Sequence, residues 1–338
     1  MTDTPLPKGR ATIYAVAQCA GVSIATVSRV LSSPEKVAVR TRERVEAAIA
    51  ALDYVPDGAA RSLAVRRHGA FGLVLPELRG AYYADVLFGF ESAASERGTS
   101  VLLLLTLGKP RPDLEVRRLA GRVDALAVMG GVEVGLSTVS AVARKMPVVG
   151  FAAQELDGVE SFGTENLHSA VALTEHLLVE HGRRRLLFVG SPGLAPDAQA
   201  RYDGFVLAHA AHRLQAAAPV EAELREADGD RVAGLVLSGE IAADGLVCAN
   251  DELALALLRA LTTAGVAVPE DLSITGWDDE KAARYVAPGL TTVRQPTREL
   301  GRLAAERLHV LLEDADAPRA SESGLATSLV LRKSCGCG

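Results

Sequence analysis

Ile13, Val16, Ala17 and Ala20 recur at i, i+3, i+4 and i+7, the spacing of one helical face. Thr12 stands just before them, where a hydroxyl can accept from a free first-turn amide. Gly21 stands just after, where a tight turn needs left-handed backbone. Val22 would plug that turn, and Ser23 is placed to cap a second helix, IATVSRVL, with Val27, Val30 and Leu31 facing inward. Val45, Ala48, Ile49 and Leu52 repeat the spacing in a third helix. Two short helices joined through glycine, with a third closing the core, predict a helix-turn-helix unit over 12–54.

From residue 70 the period changes. Short apolar runs appear at 71–75, 101–106, 125–129, 148–151, 186–190, 245–249 and 272–277, separated by helical stretches such as YADVLFGFESAASERG and LHSAVALTEHLLVEHG. Fully apolar strands alternating with helices imply parallel sheets covered on both faces. The fold class is therefore α/β: a small all-α head and a body of two Rossmann-like lobes with a cleft between them. Ligands of such sheets bind at the carboxyl ends of the strands. The lobes are expected over about 70–164 with 295–322 and about 165–293 with 325–332, leaving 333–338 as a tail.

Between head and body lies a hinge, 55–67, with the sequence VPDGAARSLAVRR. Pro56 followed by Asp57 is a helix-start signal, yet the candidate helix ends near Ala64. Isolated helices shorter than about 12–15 residues are marginal in water, so this segment is expected to order only against a partner. Leu63 has no evident core to join, and such a leucine can wedge into a minor-groove base step.

Charge sharpens the division. The chain carries −6 overall, but 1–67 hold ten Lys and Arg against six Asp and Glu, leaving −10 for the remainder. A basic head on an acidic body suits phosphate contact at one end only. The second helix of a helix-turn-helix enters the major groove with its N-terminal residues at base edges. Its outward positions here are Ser23, Ile24, Ala25, Thr26, Ser28 and Arg29. Arg29 can offer paired donors to guanine, Thr26 and Ser28 can hold phosphate or sugar, and Ile24 and Ala25 suit thymine methyls.

The remaining chemistry is mostly negative. No dinucleotide loop, P-loop, nucleophile elbow or catalytic set is found, so no enzyme, catalytic residue or cofactor is expected. No metal site is expected either. Cys19, Cys248, Cys335 and Cys337 lack zinc-site spacing, and the last two read as a frayed tail. His176 and His181 are five apart, off a common helix face, and His209 with His212 reads as a surface pair. No apolar run approaches the roughly 20 residues of a membrane span, and the polar start lacks a secretion signal; a cytoplasmic location and no membrane partner are expected. What the strand ends do carry is polar and aromatic: Tyr82, Tyr83, Phe151, Arg201, Asn250, Asp251, Trp277, Asp278, Asp279 and Gln295. Aromatic faces with a few charged or amide groups suit a sugar or another hydroxylated small molecule. For Asp251 a helix-capping role outweighs ligand contact.

The segment from Ala11 to Ala64 resembles the DNA-binding end of the LacI/GalR family of transcription regulators, including its hinge P-[ND]-x-x-A-R-x-L. RYDGF, CANDELALALLRAL and ITGWDDEKAARYVAPGLTTVRQP resemble the family's body segments. The resemblance implies a periplasmic-binding-protein-like body and a ligand-responsive repressor. It implies a homodimer, with a tetramer left open, on a palindromic double-stranded operator. It assigns base reading to Ile24, Ala25 and Arg29, the hinge wedge to Leu63, and further DNA contacts to Thr12 and Arg61. It implicates Tyr83, Arg201, Asn250, Asp278 and Gln295 in the effector cleft. Departures from the family stand at Ala15, Ala38 and Asp57, each weakening a cap or a phosphate contact, and at Ala152, where sugar-responsive relatives often carry Asp. That last change favours a less hydroxylated or differently charged effector.

Overall fold

The computed structural model describes residues 11–32, 34–55, 67–152, 158–320 and 324–337. The chain divides into two compact units, Met1–His68 and Gly69–Gly338. Hinge positions 56–66, and with them Arg61 and Leu63, lie outside the described residues.

In the first unit α1 (Ile13–Ala20), α2 (Ile24–Ser32) and α3 (Val39–Ala51) bury Val16, Ala17, Ala20, Val27, Val30, Val45 and Ala48. Gly21 is left-handed, φ 61°, and its amide reaches the Ala17 and Gln18 carbonyls. There a Cβ would cost about 1–2 kcal/mol. Arg44, reaching from α3, donates to the carbonyl oxygens of Ala20 and Gly21. This tie across the turn leaves no trace in hydrophobic periodicity.

The second unit opens with β1 (Ala70–Leu75), α4 (Gly80–Glu96), β2 (Ser100–Leu105), α5 (Pro112–Ala120), β3 (Ala125–Met129), α6 (Leu136–Ala143), β4 (Val148–Phe151) and β5 (Glu160–Thr164). It continues with α7 (Leu167–Val179), β6 (Leu186–Val189), α8 (Pro196–Ala211), α9 (Glu226–Leu237), β7 (Gly245–Cys248), α10 (Asp251–Thr263) and β8 (Ser273–Thr275). It closes with β9 (Thr292–Arg294), α11 (Thr297–Glu313), β10 (Gly324–Leu325) and β11 (Ser328–Val330). The first lobe is one parallel sheet in the order β10-β5-β4-β3-β1-β2, and the second is β6-β7-β8, also parallel. β9 and β11 pair antiparallel. Side chains alternate along β1: Phe71, Leu73 and Leu75 meet α4 and α11, while Ala70 and Val74 meet Val116 and Leu119 of α5. Both faces are covered, which is why the strand is apolar throughout.

The lobes are discontinuous. The chain passes from β5 to α7, returns from β9 to α11, and passes again from β10 to β11. β10 pairs with β5 in the first-lobe sheet, so Leu325 belongs to the first lobe and not to the second as its place in the sequence suggested. β5 went unread because it is not an apolar run. Its buried Glu160 accepts at 2.6 Å from Arg307 of α11 and from the Ala320 amide, also at 2.6 Å.

Two further sequence expectations are corrected. Residues 333–337 are not a tail: Ser334 Oγ donates to the Ile274 carbonyl and accepts from the Thr291 amide, and Ser334 and Cys335 are wholly buried. The histidine at 209 is buried against Phe205, its Nδ1 at 2.8 Å from the Phe205 carbonyl, so 209 and 212 are not a surface pair. Among the described residues no single helix is long and apolar enough to cross a membrane.

α4 and α11 approach closely through Gly89 and Gly301, where a Cβ would strike the Arg298 and Val86 carbonyl oxygens respectively. Backbone cannot yield as a flexible side chain can. Gly301→Ala is therefore expected to destabilise the body by about 1–3 kcal/mol, read as a lowered urea midpoint at unchanged slope. An unaltered midpoint would show that these helices part at no cost.

Candidate functional site

Just before α2, Ser23 is exposed; on the helix, Ile24, Ala25, Ser28 and Arg29 are exposed and Thr26 is half-buried, while Val27 and Val30 face the core. The 3.6-residue period leaves these positions on the outer side and at the N-terminal end of the helix. Ser23 acts as its cap: Ser23 Oγ accepts from the Thr26 amide at 3.1 Å and lies 2.9 Å from Thr26 Oγ1. The Thr12 hydroxyl caps α1 by accepting from the Ala15 amide at 3.3 Å. α1 has no acid in its first turn, and Ala38 opens α3 with no side-chain bond.

In the body, a cavity of about 300 Å³ opens where the strands of both lobes end. Pro76 and Glu77 follow β1, and Met129, Gly130 and Gly131 end or follow β3; these neighbouring strands are where the order of the first sheet reverses. Such a switch point leaves a crevice, because the connections on its two sides run to opposite faces. Across the cavity stand Asp197, Arg201, Asn250 and Asp278 of the second lobe. Tyr82 and Tyr83 enter from the first turn of α4, their rings edge to face at 5.4 Å. Burial, with nearby carboxylates, pushes both phenols up, Tyr83 to about 12 and Tyr82 well above its ordinary value, so both remain hydroxyl donors at neutral pH.

Arg201 is buried and held on several sides. Its Nε donates to Asn166 Oδ1 at 2.8 Å, its Nη1 donates to the Ala249 carbonyl at 2.7 Å, and its guanidinium lies 4.7 Å from the centre of the Trp277 ring. Among the described residues its Nη2 has only the looser Asp197 carboxylate, 3.8 Å away. Burial raises the Asp197 carboxyl, against the pull of Arg201. Burial likewise pushes Asp278 up to about 7, although Arg201 and a hydrogen bond from Gln295 oppose it. Gln295 Nε2 donates to Asp278 Oδ1 at 2.5 Å, and Gln295 Oε1 accepts from Thr164 Oγ1. Asp278 and Asp279 hold positive φ, 118° and 54°. Conformations of that kind cost of order 1–3 kcal/mol each and persist only where the surroundings fix them. Here the fixing groups are the Val293 carbonyl, which accepts from the Asp278 amide at 2.8 Å, and three arginines on the Asp279 carboxylate: Arg332, Arg294 and Arg284.

Of the residues expected in the cleft, Tyr82, Tyr83, Arg201, Asn250 and Asp278 line the cavity. Asn250 does so with a committed side chain: its Oδ1 accepts from the Leu253 amide at 3.0 Å and its Nδ2 donates to the Leu224 carbonyl at 3.2 Å. Phe151, Trp277 and Gln295 do not line it. Phe151 is buried in the first-lobe core, because β4 turns that side chain toward α11, and Trp277 is buried beneath Arg201 in the second. Gln295 stands behind Asp278 as its partner. Asp251 is no ligand contact: its carboxylate accepts from the Glu280 amide at 2.8 Å and Thr292 Oγ1 at 2.7 Å. Sequence reasoning missed Glu77, Asp197, Glu223, Arg225, Glu252 and Glu280 on the cavity wall. Two carried a usable signal. Glu77 stands two residues past the end of β1, and Asp197 precedes Arg201 by one helical turn.

The description "Bacterial regulatory proteins, lacI family" matches residues 12–57, and "Periplasmic binding protein-like domain" matches 175–335. The chain is similar to the HTH-type transcriptional repressor PurR of Haemophilus influenzae (strain PittEE), 31% identical over 335 residues covering 96% of this chain and 98% of that one. Among solved structures it resembles the Lac repressor dimer bound to operator and the anti-inducer ONPF, with a TM-score of 0.85 at 28% identity, covering 97% of this chain and 99% of that chain. It also resembles the complex of the transcriptional regulator CelR with cellobiose, TM-score 0.70 at 27% identity, covering 96% and 100%.

With the folded carboxyl of Asp278 at about 7, against about 4 in an unfolded chain, the native state holds this proton more tightly. Its contribution to stability is full below about pH 4 and is lost as pH rises toward 7. Asp278→Asn is expected to flatten that part of a Tm-against-pH profile and to raise Tm at pH 8. An unchanged slope would place the titration elsewhere.

Proposed function

Because the chain belongs to the LacI family of bacterial regulatory proteins, a family of DNA-binding repressors and not of enzymes, we propose that it binds a palindromic operator as a homodimer under control of a neutral, hydroxylated effector of the sugar class held between its lobes. The observation that carries the effector reading is the paired lining of the cavity. Tyr82, Tyr83 and Glu77 approach from one lobe, and Arg201, Asp197 and Asp278 from the other. A molecule touching both sets has a different affinity for each closure angle, and only that difference can drive a switch.

Three features narrow the effector. At about 300 Å³ the cavity is at the lower end of small-molecule sites, roughly 300–1,000 Å³, which suits one or two sugar rings. Six carboxylates and three arginines line it, so a phosphate ester meets net repulsion while hydroxyls find acceptors. Ala152, also on the wall, supplies none, and Glu77, Asp197 and Asp278 take over that role. The cellobiose complex of a structural relative fits the same class.

In this reading effector contact with Asp278 is passed on through Gln295, which follows β9 on one inter-lobe crossing, to Thr164 at the end of β5 on another. A change in lobe angle would alter the separation of the two hinge segments of a dimer, with Arg61 and Leu63 contacting DNA only when both can fold together in the minor groove. Half-sites would lie about one helical turn apart. Thr12, Ser23, Thr26 and Ser28 would hold phosphate or sugar, and Ile24, Ala25 and Arg29 would read bases. The cytoplasm is the compartment this role requires.

Arg29→Ala is expected to weaken operator binding by about 1–3 kcal/mol while sparing random DNA; equal losses on both in a gel-shift titration would remove Arg29 from base reading. For the effector, a thermal-shift screen should find neutral mono- or disaccharides that stabilise the protein, by about 2.7 kcal/mol at 100 times Kd. Arg201→Lys, which keeps the buried charge but not the planar fork of donors, should abolish that shift and the operator response with DNA affinity and the circular-dichroism spectrum retained. Stabilisation by phosphate esters alone would overturn the neutral-ligand reading.

A further inference from the structure

The C-terminal segment brings together four side chains that the effector cleft does not use. His176 lies in the last turn of α7, and His181 follows once the helix has ended, so its ring is free of helical spacing. Cys335 and Cys337 lie on the segment that packs back against them. One donor atom from each falls within 4.8 Å of all the others. His176 Nε2 is 3.1 Å from His181 Nε2, 3.5 Å from Cys335 Sγ and 3.4 Å from Cys337 Sγ, and His181 Nε2 is 3.6 Å from Cys337 Sγ.

We propose that His176, His181, Cys335 and Cys337 form a closed tetrahedral site for a borderline-soft divalent ion, zinc above all, which fastens the C-terminal segment to the end of α7.

Three observations support it. The first is valence. A neutral imidazole nitrogen has one lone pair or one N–H, so His176 Nε2 cannot hydrogen-bond to three neighbours at once; an ion at their centre takes one lone pair from each. The second is size. Zinc bonds of about 2.0–2.1 Å to nitrogen and 2.3 Å to sulfur give tetrahedron edges of about 3.3–3.8 Å, and the four distances above fall at or just below that range. The third is the surroundings. Cys335 is wholly buried, and Thr291 Oγ1, 3.1 Å from its sulfur, can donate to a thiolate. Such outer partners orient ligands and tune a site. Two thiolates and two imidazoles leave no open coordination position, which marks a structural ion and not a catalytic one.

The site would brace the second lobe. Cys335 accepts through its carbonyl from Ser273 Oγ at 3.1 Å, and Ser334 bridges Ile274 and Thr291, so the fastened segment lies along β8, which leads to Trp277 and Asp278.

The test uses the untagged full-length chain, expressed with zinc and purified under reducing conditions. Elemental analysis should find about one zinc per chain. Cobalt(II) added to the chelated protein should give sulfur-to-cobalt charge-transfer bands and the visible bands of a tetrahedral ion. Cys337 is only half-buried, so Cys337→Ser and His181→Ala should fold, as circular dichroism would check. Each should lose zinc affinity by more than about 100-fold, since outer-sphere changes alone cost 10–100-fold. Cys19→Ser should lose none. The proposal fails if the chain retains no zinc and gives no charge-transfer band, or if the bands survive both substitutions. It fails equally if thiol titration finds Cys335 and Cys337 already joined as a disulfide in a chain that takes up no metal.

Discussion

A buried guanidinium organises the second lobe and the floor of the cleft. An arginine side chain keeps its charge in proteins, so removing Arg201 from water obliges the fold to surround it with acceptors. Asn166 at the start of α7, Ala249 at the end of β7, Asp197 on α8 and the face of Trp277 after β8 each meet one side of it. Four elements are thereby held in register by one side chain. Breaking such an arrangement is expensive because an unpaired buried charge remains, and its geometry is accordingly rigid. Rigidity matters for a sensor, since a ligand can shift an equilibrium only by its differential affinity for two defined states.

A second charged cluster stands beside the first. The strained backbone at Asp278 and Asp279 turns one carboxylate into the cleft and the other away from it. Burial works against an ionised Asp279, yet hydrogen bonds from Arg332 and Arg294 hold its carboxyl below the ordinary value. Arg332 also donates to the Leu290 carbonyl at 2.7 Å, tying the C-terminal segment to the loop before β9. The last residues of the chain thus fix the backbone that aims Asp278. A metal ion at His176, His181, Cys335 and Cys337 would act on the far end of the same segment.

Much of this was legible in the sequence. Periodicity marks the first two head helices within a residue or two and the buried face of the third, because each must bury one stripe against the others; the third helix begins at Val39, six residues before its first apolar marker. β1, β3 and β4 were read almost to the residue, since a strand covered on both faces has no polar alternative. The Asp278 placement followed from strand-end position together with a family resemblance, and that of Arg201, which sits within α8 and not at a strand end, from the resemblance. Phe151 and Trp277 also stand at strand ends but face the cores, because side-chain direction there alternates and one residue decides it. β5 was invisible because its buried Glu160 depends on Arg307, far along the chain.

The sequence by itself determined the local periods, the division of charge between head and body, and the order of the apolar strands with the helices between them, all of which depend on neighbours a few residues apart. Only the tertiary structure decided which carboxylates wall the cavity, that Leu325 returns to the first lobe, and that two histidines meet two cysteines more than a hundred and fifty residues later. The physical reason is common to all three. A polar side chain has no periodic signature, and its partner is chosen by where the chain returns in space, which no local pattern encodes.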